Sequence, residues 1–332
     1  MCLVLLYCLV PRRMKLLSVS GLHTYFFSGG QVTKAVEGVD LELDKGEVLG
    51  LVGESGCGKT MTARSVMRLI PSPGRIVQGS VLFEGVDLAQ LSDRQMQAVR
   101  GNRIGMVFQE PLTSLNPVLR IGDQLSETLI VHKGLSREDA RDVSIGLLQK
   151  VGFEEADKRY LQYPHQLSGG QRQRVLIAIA ISCKPSLLIA DEPTTALDVT
   201  IEAQILRLLQ VLIAEYQLSM LFITHNLDII KRIGLAIGIM YAGRMVEKSR
   251  VGQFFEEPLH PYSRGLLDSM PQFSRGQQRL KAIPGTVPRL SEMPGGCKFN
   301  PRCPYVMPRC RVEEPPMYSH GERWVRCYLY QN

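Results

Sequence analysis

Gly53-Glu54-Ser55-Gly56-Cys57-Gly58-Lys59-Thr60 stands directly after the short apolar run Val48-Leu49-Gly50-Leu51-Val52. The octet meets G-x-x-x-x-G-K-[ST] at every fixed position, in the order strand, glycine loop, helix that the pattern requires. Glycines let the backbone curl until its N–H groups point inward, and the start of the next helix adds positive dipole character toward a phosphate. Lys59 brings a full charge to the β and γ phosphates, and Thr60 offers a hydroxyl to Mg²⁺. The element predicts a nucleoside triphosphate site in an α/β domain.

The 332 residues suffice for such a domain of ~200 to 250 residues plus an appendage. The net charge of +7, from 39 basic and 32 acidic residues, comes without a long Lys/Arg run. Nucleic-acid binding is therefore not indicated, because this balance equally serves nucleotide phosphates or an anionic membrane surface. The first residues, Met1-Cys2-Leu3-Val4-Leu5-Leu6-Tyr7-Cys8-Leu9-Val10-Pro11-Arg12-Arg13, are apolar and then basic. A secretory signal has the opposite order, so residues 1–13 are expected to be a leader or mis-assigned start ahead of Met14. No other stretch approaches ~18 apolar residues, and no transmembrane helix is expected.

Periodicity divides the rest. A β-rich opening runs from Leu16 to about Leu51, with Asp44-Lys45-Gly46-Glu47 reading as a hairpin turn. A helix is predicted from Lys59 to about Ile70, ended by Pro71, Pro73 and Gly74, and a strand from Gly79 to Phe83. From about Gln109 to Gln166 helical patterns replace strand signals; Ser136-Arg137-Glu138-Asp139 opens one helix with capping composition. Helix and strand alternate again through 171–182, 186–190, 201–216 and 220–224. The alternation predicts a mostly parallel sheet.

Several strand ends carry chemistry. Leu187-Leu188-Ile189-Ala190 runs into Asp191-Glu192, and strand C-terminal ends are where ligands bind in an open α/β sheet. Asp191 suits Mg²⁺, and Glu192 suits orienting or deprotonating the water that attacks the γ phosphate. His225 closes Leu221-Phe222-Ile223-Thr224, and Gln109 closes Ile104-Gly105-Met106-Val107-Phe108. Leu167-Ser168-Gly169-Gly170-Gln171 precedes a helix and forms a second place for an anion.

With these motifs in this order, residues from about 16 to 250 resemble an ATP-binding cassette, the motor subunit of ABC transporters. The resemblance implies a RecA-like P-loop NTPase fold: a mostly parallel sheet with an antiparallel β subdomain, an inserted helical subdomain at about 109–166 and an irregular C-terminal extension. It implies ATP and Mg²⁺ as ligands, with residues 53 to 60 and Thr62 around the nucleotide. Thr60, Gln109 and Asp191 would hold the ion. Glu192 would be the catalytic glutamate, Gln109 the Q-loop residue and His225 the switch histidine. Ala196-Leu197-Asp198 matches the D-loop, and Phe26 or Tyr25 would stack on adenine. In that family two cassettes pair head to tail. Ser168, Gly169, Gly170 and Gln171 of one copy would then cover the γ phosphate held by the other. A second ATPase, identical or a sister, is therefore an expected partner, as are two membrane permeases docking on 109–166. The other classes open are a soluble cassette of DNA repair or translation and a degenerate cassette that binds ATP without hydrolysis. Single-cassette length and intact Glu192 and His225 stand against them.

Pro258-Leu259-His260-Pro261-Tyr262-Ser263-Arg264-Gly265-Leu266-Leu267 and the tail after it are similar to the oligopeptide, dipeptide and nickel branch of ABC importers. The resemblance divides the chain into a 14–255 ATPase domain and a 256–332 extension. It also implies a cytoplasmic-face, peripheral-membrane motor that meets a solute-binding protein only indirectly. Peptide is the expected cargo, with nickel or glutathione as alternatives. Cys297, Cys303, Cys310 and Cys327 lie in the extension with five, six and sixteen residues between them. These spacings lack a zinc knuckle. A [4Fe-4S] cluster, as some members of the branch carry, zinc, and free thiols are the three readings.

Overall fold

The computed structural model describes residues 15–195, 197–270, 282–289 and 292–331. The leader 1–13, Ala196 of the D-loop and Leu290 fall outside them. In chain order the first elements are β1 (Lys15–Ser28), β2 (Gln31–Asp44), β3 (Val48–Val52), α1 (Lys59–Val66), β4 (Gly74–Phe83), β5 (Val86–Asp87), α2 (Asp93–Val99) and β6 (Ile104–Val107). Helices α3 (Pro111–Ser114), α4 (Ile121–Lys133), α5 (Arg137–Lys150), α6 (Ala156–Tyr160) and α7 (Gly169–Ile181) follow. Alternation resumes with β7 (Leu187–Asp191), α8 (Val199–Tyr216), β8 (Ser219–Thr224), α9 (Leu227–Ile233), β9 (Ala236–Tyr241) and β10 (Arg244–Arg250). The tail holds α10 (Val251–Glu256), α11 (Pro261–Asp268), β11 (Tyr318–His320) and β12 (Arg323–Val325).

The strands form an antiparallel sheet, β2-β1-β4-β5, and a larger one ordered β11-β12-β10-β9-β3-β8-β7-β6. The five strands from β9 to β6 are parallel. Strands β3, β7 and β8 are buried along their whole length, as expected where both faces are covered. Between β6 and α7, helices α4, α5 and α6 bury Leu125, Leu129, Ala140, Leu148 and Tyr160. Inside that packing the Ser126 hydroxyl meets Ser144 Oγ and Tyr160 Oη, each at 2.9 Å, so the buried hydroxyls partner one another. Ser136 caps α5 by accepting the Asp139 N–H at 3.1 Å, worth about 1 kcal/mol.

Two expectations need correction. The turn at Asp44–Glu47 closes with the Glu47 N–H donating to Asp44 O at 3.1 Å, yet it joins no hairpin. Its flanking strands enter different sheets, β2 pairing with β1 and β3 with β8 and β9. Helix α1 stops at Val66 rather than near Ile70. Arg68 adopts a left-handed φ of 50°, and Arg100 donates to the carbonyls of Met67 and Arg68 at 2.8 Å, satisfying the helix end in place of another turn. Within the irregular extension β12 pairs with β10 and adds β11 and itself to the main sheet. Strands of three residues are too short to show a period.

The extension begins with a buried histidine. His260 Nδ1 accepts the Tyr262 N–H at 3.0 Å and caps α11. Burial, helped by Arg264 and Arg326, depresses its pKa to about 3. Below about pH 6.5 the unfolded chain takes up a proton that the folded chain refuses, so stability falls as pH drops through this window. Urea unfolding should lose about 2 kcal/mol more between pH 6.5 and 5 in the wild type than in His260→Asn, which keeps a capping acceptor without titrating. Parallel pH curves for the two proteins would refute this assignment.

Candidate nucleotide site

The glycine loop leaves β3 at the centre of the sheet and is wedged against neighbouring backbone. A Cβ on Gly53 would stand 2.3 Å from Met240 O and 2.6 Å from Cys57 Sγ. Gly58 has φ +102°, and a Cβ there would lie 2.7 Å from Ala35 O. The Gly243 N–H donates to Cys57 O at 2.9 Å, stitching the loop to the turn after β9. Cys57 itself is buried and contributes backbone, not a side chain, to the cleft. Lys59 Nζ donates to Gly53 O at 2.7 Å and Glu54 O at 3.0 Å, and lies 4.0 Å from Glu192 Oε1. The Thr62 hydroxyl is turned inward, donating to Gly58 O at 3.0 Å.

Register brings the acids to the loop. Val52 lies opposite Thr224 and Asp191 opposite Ile223, so β3, β7 and β8 end at one level. Thr60 Oγ1 donates to Asp191 Oδ1 at 3.0 Å. Burial raises the Asp191 pKa to about 6 despite this bond, with Glu192 contributing in the same direction. A buried carboxylate facing a hydroxyl beside a second acid suits a divalent cation, which is the fit expected for Mg²⁺.

Glu192 is the meeting point of the site. It is a non-glycine residue at φ +46°, held by its N–H donating to Ile223 O at 2.9 Å. Left-handed backbone of this kind costs about 1–3 kcal/mol and persists where the surroundings fix it. Its Oε2 accepts Thr195 Oγ1 at 2.8 Å and Gln109 Nε2 at 3.4 Å, and lies 3.2 Å from His225 Nδ1. Gln109, Glu192 and His225, far apart in sequence, thus converge. Thr195 was not foreseen; its only sequence signal is its place three residues after Glu192.

Ser168, Gly169, Gly170 and Gln171 stand elsewhere. Ser168 caps α7 in a reciprocal box with Gln171, its hydroxyl accepting the Gln171 N–H at 3.3 Å and its N–H donating to Gln171 Oε1 at 3.0 Å. A Cβ on Gly170 would meet Ile201 at 2.6 Å, so this segment packs on the start of α8. Asp198 caps α8 through the Ile201 N–H at 2.9 Å. Among the described residues no hydrogen bond or ion pair joins 168–171 to the glycine loop of the same chain. Of the two aromatics, Phe26 lies against Gly74, and Tyr25 stands edge-on to His23 with ring centres 5.9 Å apart and under Lys34 Nζ, 5.7 Å from its ring centre.

Two family models match the chain: the ABC transporter model over residues 36–195, and the C-terminal region of oligopeptide/dipeptide transporters over residues 246–310. The oligopeptide transport ATP-binding protein AppD of Bacillus subtilis is 48% identical over 318 residues, covering 95% of this chain and 97% of that protein. The dipeptide transport ATP-binding protein DppD of the same organism is 44% identical over 317 residues, covering 95% of each. Among solved structures, a dimeric ATP-binding cassette in a post-hydrolysis state with ADP and Pi is 27% identical. It has a TM-score of 0.64 and covers 71% of this chain and 98% of that one. The chain belongs to the ABC transporter ATP-binding family. Within it, the tail places the chain in the oligopeptide/dipeptide branch.

The cassette's four tail thiols gather in one lobe. The Cys297 N–H donates to Cys310 O at 2.8 Å, and the Asn300 amide bonds both Cys297 O and Cys310 O. Burial pushes the Cys297 thiol up to about 12, with Cys327, Cys310 and Cys303 adding to it, and Cys327 up to about 11. Among the described residues no three His, Cys, Asp or Glu side chains are grouped closely enough to hold a single metal ion.

The contact between Gly53 and Met240 O is with backbone and cannot relax by a rotamer change. Gly53→Ala should lose about 1–3 kcal/mol of stability, the usual cost of overpacking. It should also weaken binding of a fluorescent ATP analogue. An alanine variant with unchanged melting and nucleotide affinity would contradict the observed wedge.

Proposed function

We propose that the chain is the ATP-hydrolysing motor of an ABC importer for peptides, acting as one of two cassettes beneath separate permease subunits. The observation that carries this is the convergence on Glu192: Lys59, Gln109, Thr195 and His225 all lie within 4.0 Å of its carboxylate. A base must sit within hydrogen-bond reach of its proton partner, and a single carboxylate at the loop's mouth meets that geometry.

In this reading Lys59 leaves its loop carbonyls for the β and γ phosphates, and Glu192 takes the proton of the attacking water. His225 and Gln109 orient Glu192 through its Oε2. Thr60 and Asp191 would hold Mg²⁺ with Gln109 nearby, the ion neutralising charge on the phosphates when bound. Phe26 or its neighbour Tyr25 takes the adenine. The helix start at 168–171 makes no use of its own chain's loop, which supports its serving the partner copy. ATP then closes the pair, and hydrolysis releases it. The relatives' names supply the peptide cargo, and nickel or glutathione keep the same motor role as the second choice. Among the described residues no helix is long and apolar enough to cross a membrane. Docking of the 109–166 helices to permeases accordingly gives a peripheral motor at the cytoplasmic face. The division into a 14–255 ATPase domain and a 256–332 extension belongs to this reading.

Glu192→Gln should cut turnover by at least about 100-fold, the scale of a lost general base, and accumulate an ATP-bound dimer on gel filtration. Undiminished hydrolysis in that variant, or full activity in a chain held monomeric, would remove the mechanism.

We assign the four tail thiols to a [4Fe-4S] cluster, with zinc and free thiols as alternatives. Four thiolates on one zinc at ~2.3 Å each would sit ~4 Å apart, whereas a cluster spreads them over separate irons. What supports this reading is the Cys297 N–H bond to Cys310 O and the electrostatic influence of Cys303, Cys310 and Cys327 on Cys297. Anaerobically purified protein should carry iron and labile sulfide in about four equivalents each, lost in Cys303→Ser. A preparation with stoichiometric zinc, or with no metal, would exclude the cluster.

A further inference from the structure

Two cations flank the cysteine loop and reach the rear of the nucleotide site. Lys298, immediately after Cys297, pairs with Glu37 and donates to Ala242 O at 3.1 Å, next to the turn that holds Cys57. Arg302, immediately before Cys303, directs Nη1 at the Glu54 carboxylate, 3.0 Å from Oε1 and 3.2 Å from Oε2. Its Nε donates to Pro284 O at 2.8 Å, and its side chain is only 5% exposed. The guanidinium lies 5.8 Å from the Tyr241 ring centre and 6.0 Å from that of Phe299.

Glu54 is thus held at three points. Its N–H donates to Tyr262 Oη at 2.9 Å, its carbonyl accepts Lys59 Nζ, and its carboxylate faces Arg302. Tyr262 in turn packs against Tyr241 and Phe299, with centroids 4.7 and 5.4 Å apart, so both tethers stand on one aromatic cluster. The position is electrostatically awkward for a loop built to receive phosphates. An unpaired carboxylate there would repel the ligand and could draw Lys59 toward itself.

We propose that Arg302 and Tyr262 are positioning residues for ATP binding. Arg302 cancels the Glu54 charge and Tyr262 fixes the Glu54 peptide, so that the loop presents Lys59 and its N–H groups to phosphate. The inference deepens the nucleotide-site reading above and does not depend on what the cysteines bind.

The test uses full-length protein, with ATP as ligand and affinity measured both as KM and by equilibrium binding of a fluorescent ATP analogue to the Glu192→Gln background. Arg302→Met keeps the stem and removes the charge. It should raise KM about tenfold with kcat little changed, the scale of one uncancelled charge roughly 10 Å away at an effective dielectric near 20. Adding Glu54→Gln to Arg302→Met should return KM toward the wild-type value, a recovery that a purely structural role for Arg302 would not give. Tyr262→Phe leaves the aromatic packing intact and should also raise KM with kcat held, so it carries the test if Arg302→Met does not fold. Unchanged KM in the folded variants, or a rise in Arg302→Met that Glu54→Gln does not relieve, overturns the proposal. Wild-type turnover measured alongside reports on the ATPase reading separately.

Discussion

The parallel register of three short buried strands is the constraint on which the nucleotide site depends. Val52 beside Thr224 and Asp191 beside Ile223 set the glycine loop, the acid pair and His225 leaving the sheet at one level. One residue of slip would move an acid by ~3.3 Å and turn its side chain to the other face. The 3.0 Å contact between Thr60 and Asp191 would not survive it. Burial on both faces makes that slip expensive, because alternate side chains fill separate cores: Leu188 and Ala190 lie in one, Leu187 and Ile189 in the other. Precision at the site is therefore a product of hydrophobic packing some distance from any polar group.

Against that frame the polar groups are arranged so that charge is held but unspent. Lys59 is satisfied by carbonyls of its own loop, bonds that a phosphate can replace without leaving a donor unpaired. Asp191 is the reverse case: burial raises its pKa against the Thr60 hydroxyl and the charges of Arg64 and Lys59, so its ionised form gains from an incoming cation. Glu192 gathers several donors on one oxygen from a left-handed backbone. These are the costs a fold accepts at a reacting centre, and neighbouring backbone bonds such as Glu192 N–H to Ile223 O offset them.

What the sequence disclosed follows the range of the interaction involved. Residues 53–60, Asp191, Glu192, His225 and Gln109 were legible because each follows an apolar run whose end locates it on the sheet edge. The cap at Ser136 was legible too, since a cap acts within three residues. The failures are non-local. Whether the Asp44–Glu47 turn joins one sheet or two is decided by β8 and β9, nearly two hundred residues later. The end of α1 is decided by Arg100, more than thirty residues on. Arg302 and Glu54 lie 248 residues apart, and neither position carries a local pattern that names the other.

The tail's ion pairs differ in kind, and the difference says what the tail is attached to. Arg323 pairs with Glu257, whose side chain is 68% exposed, and such a pair contributes little. Lys298 with Glu37 is largely withdrawn from water, and Arg302 is as well, although its partner Glu54 is 31% exposed. Removing one partner of such a pair strands a buried charge, at about 3–5 kcal/mol for fully buried cases. Both of these pairs flank cysteines, one ending on Glu37 of β2 and the other on Glu54 within the glycine loop. Arg244 reinforces the first, reaching Glu37 at 3.2 Å and Glu314 at 2.6 Å from between them. The extension is therefore tied through Lys298 to β2 and the turn after β9, and through Arg302 to the glycine loop itself.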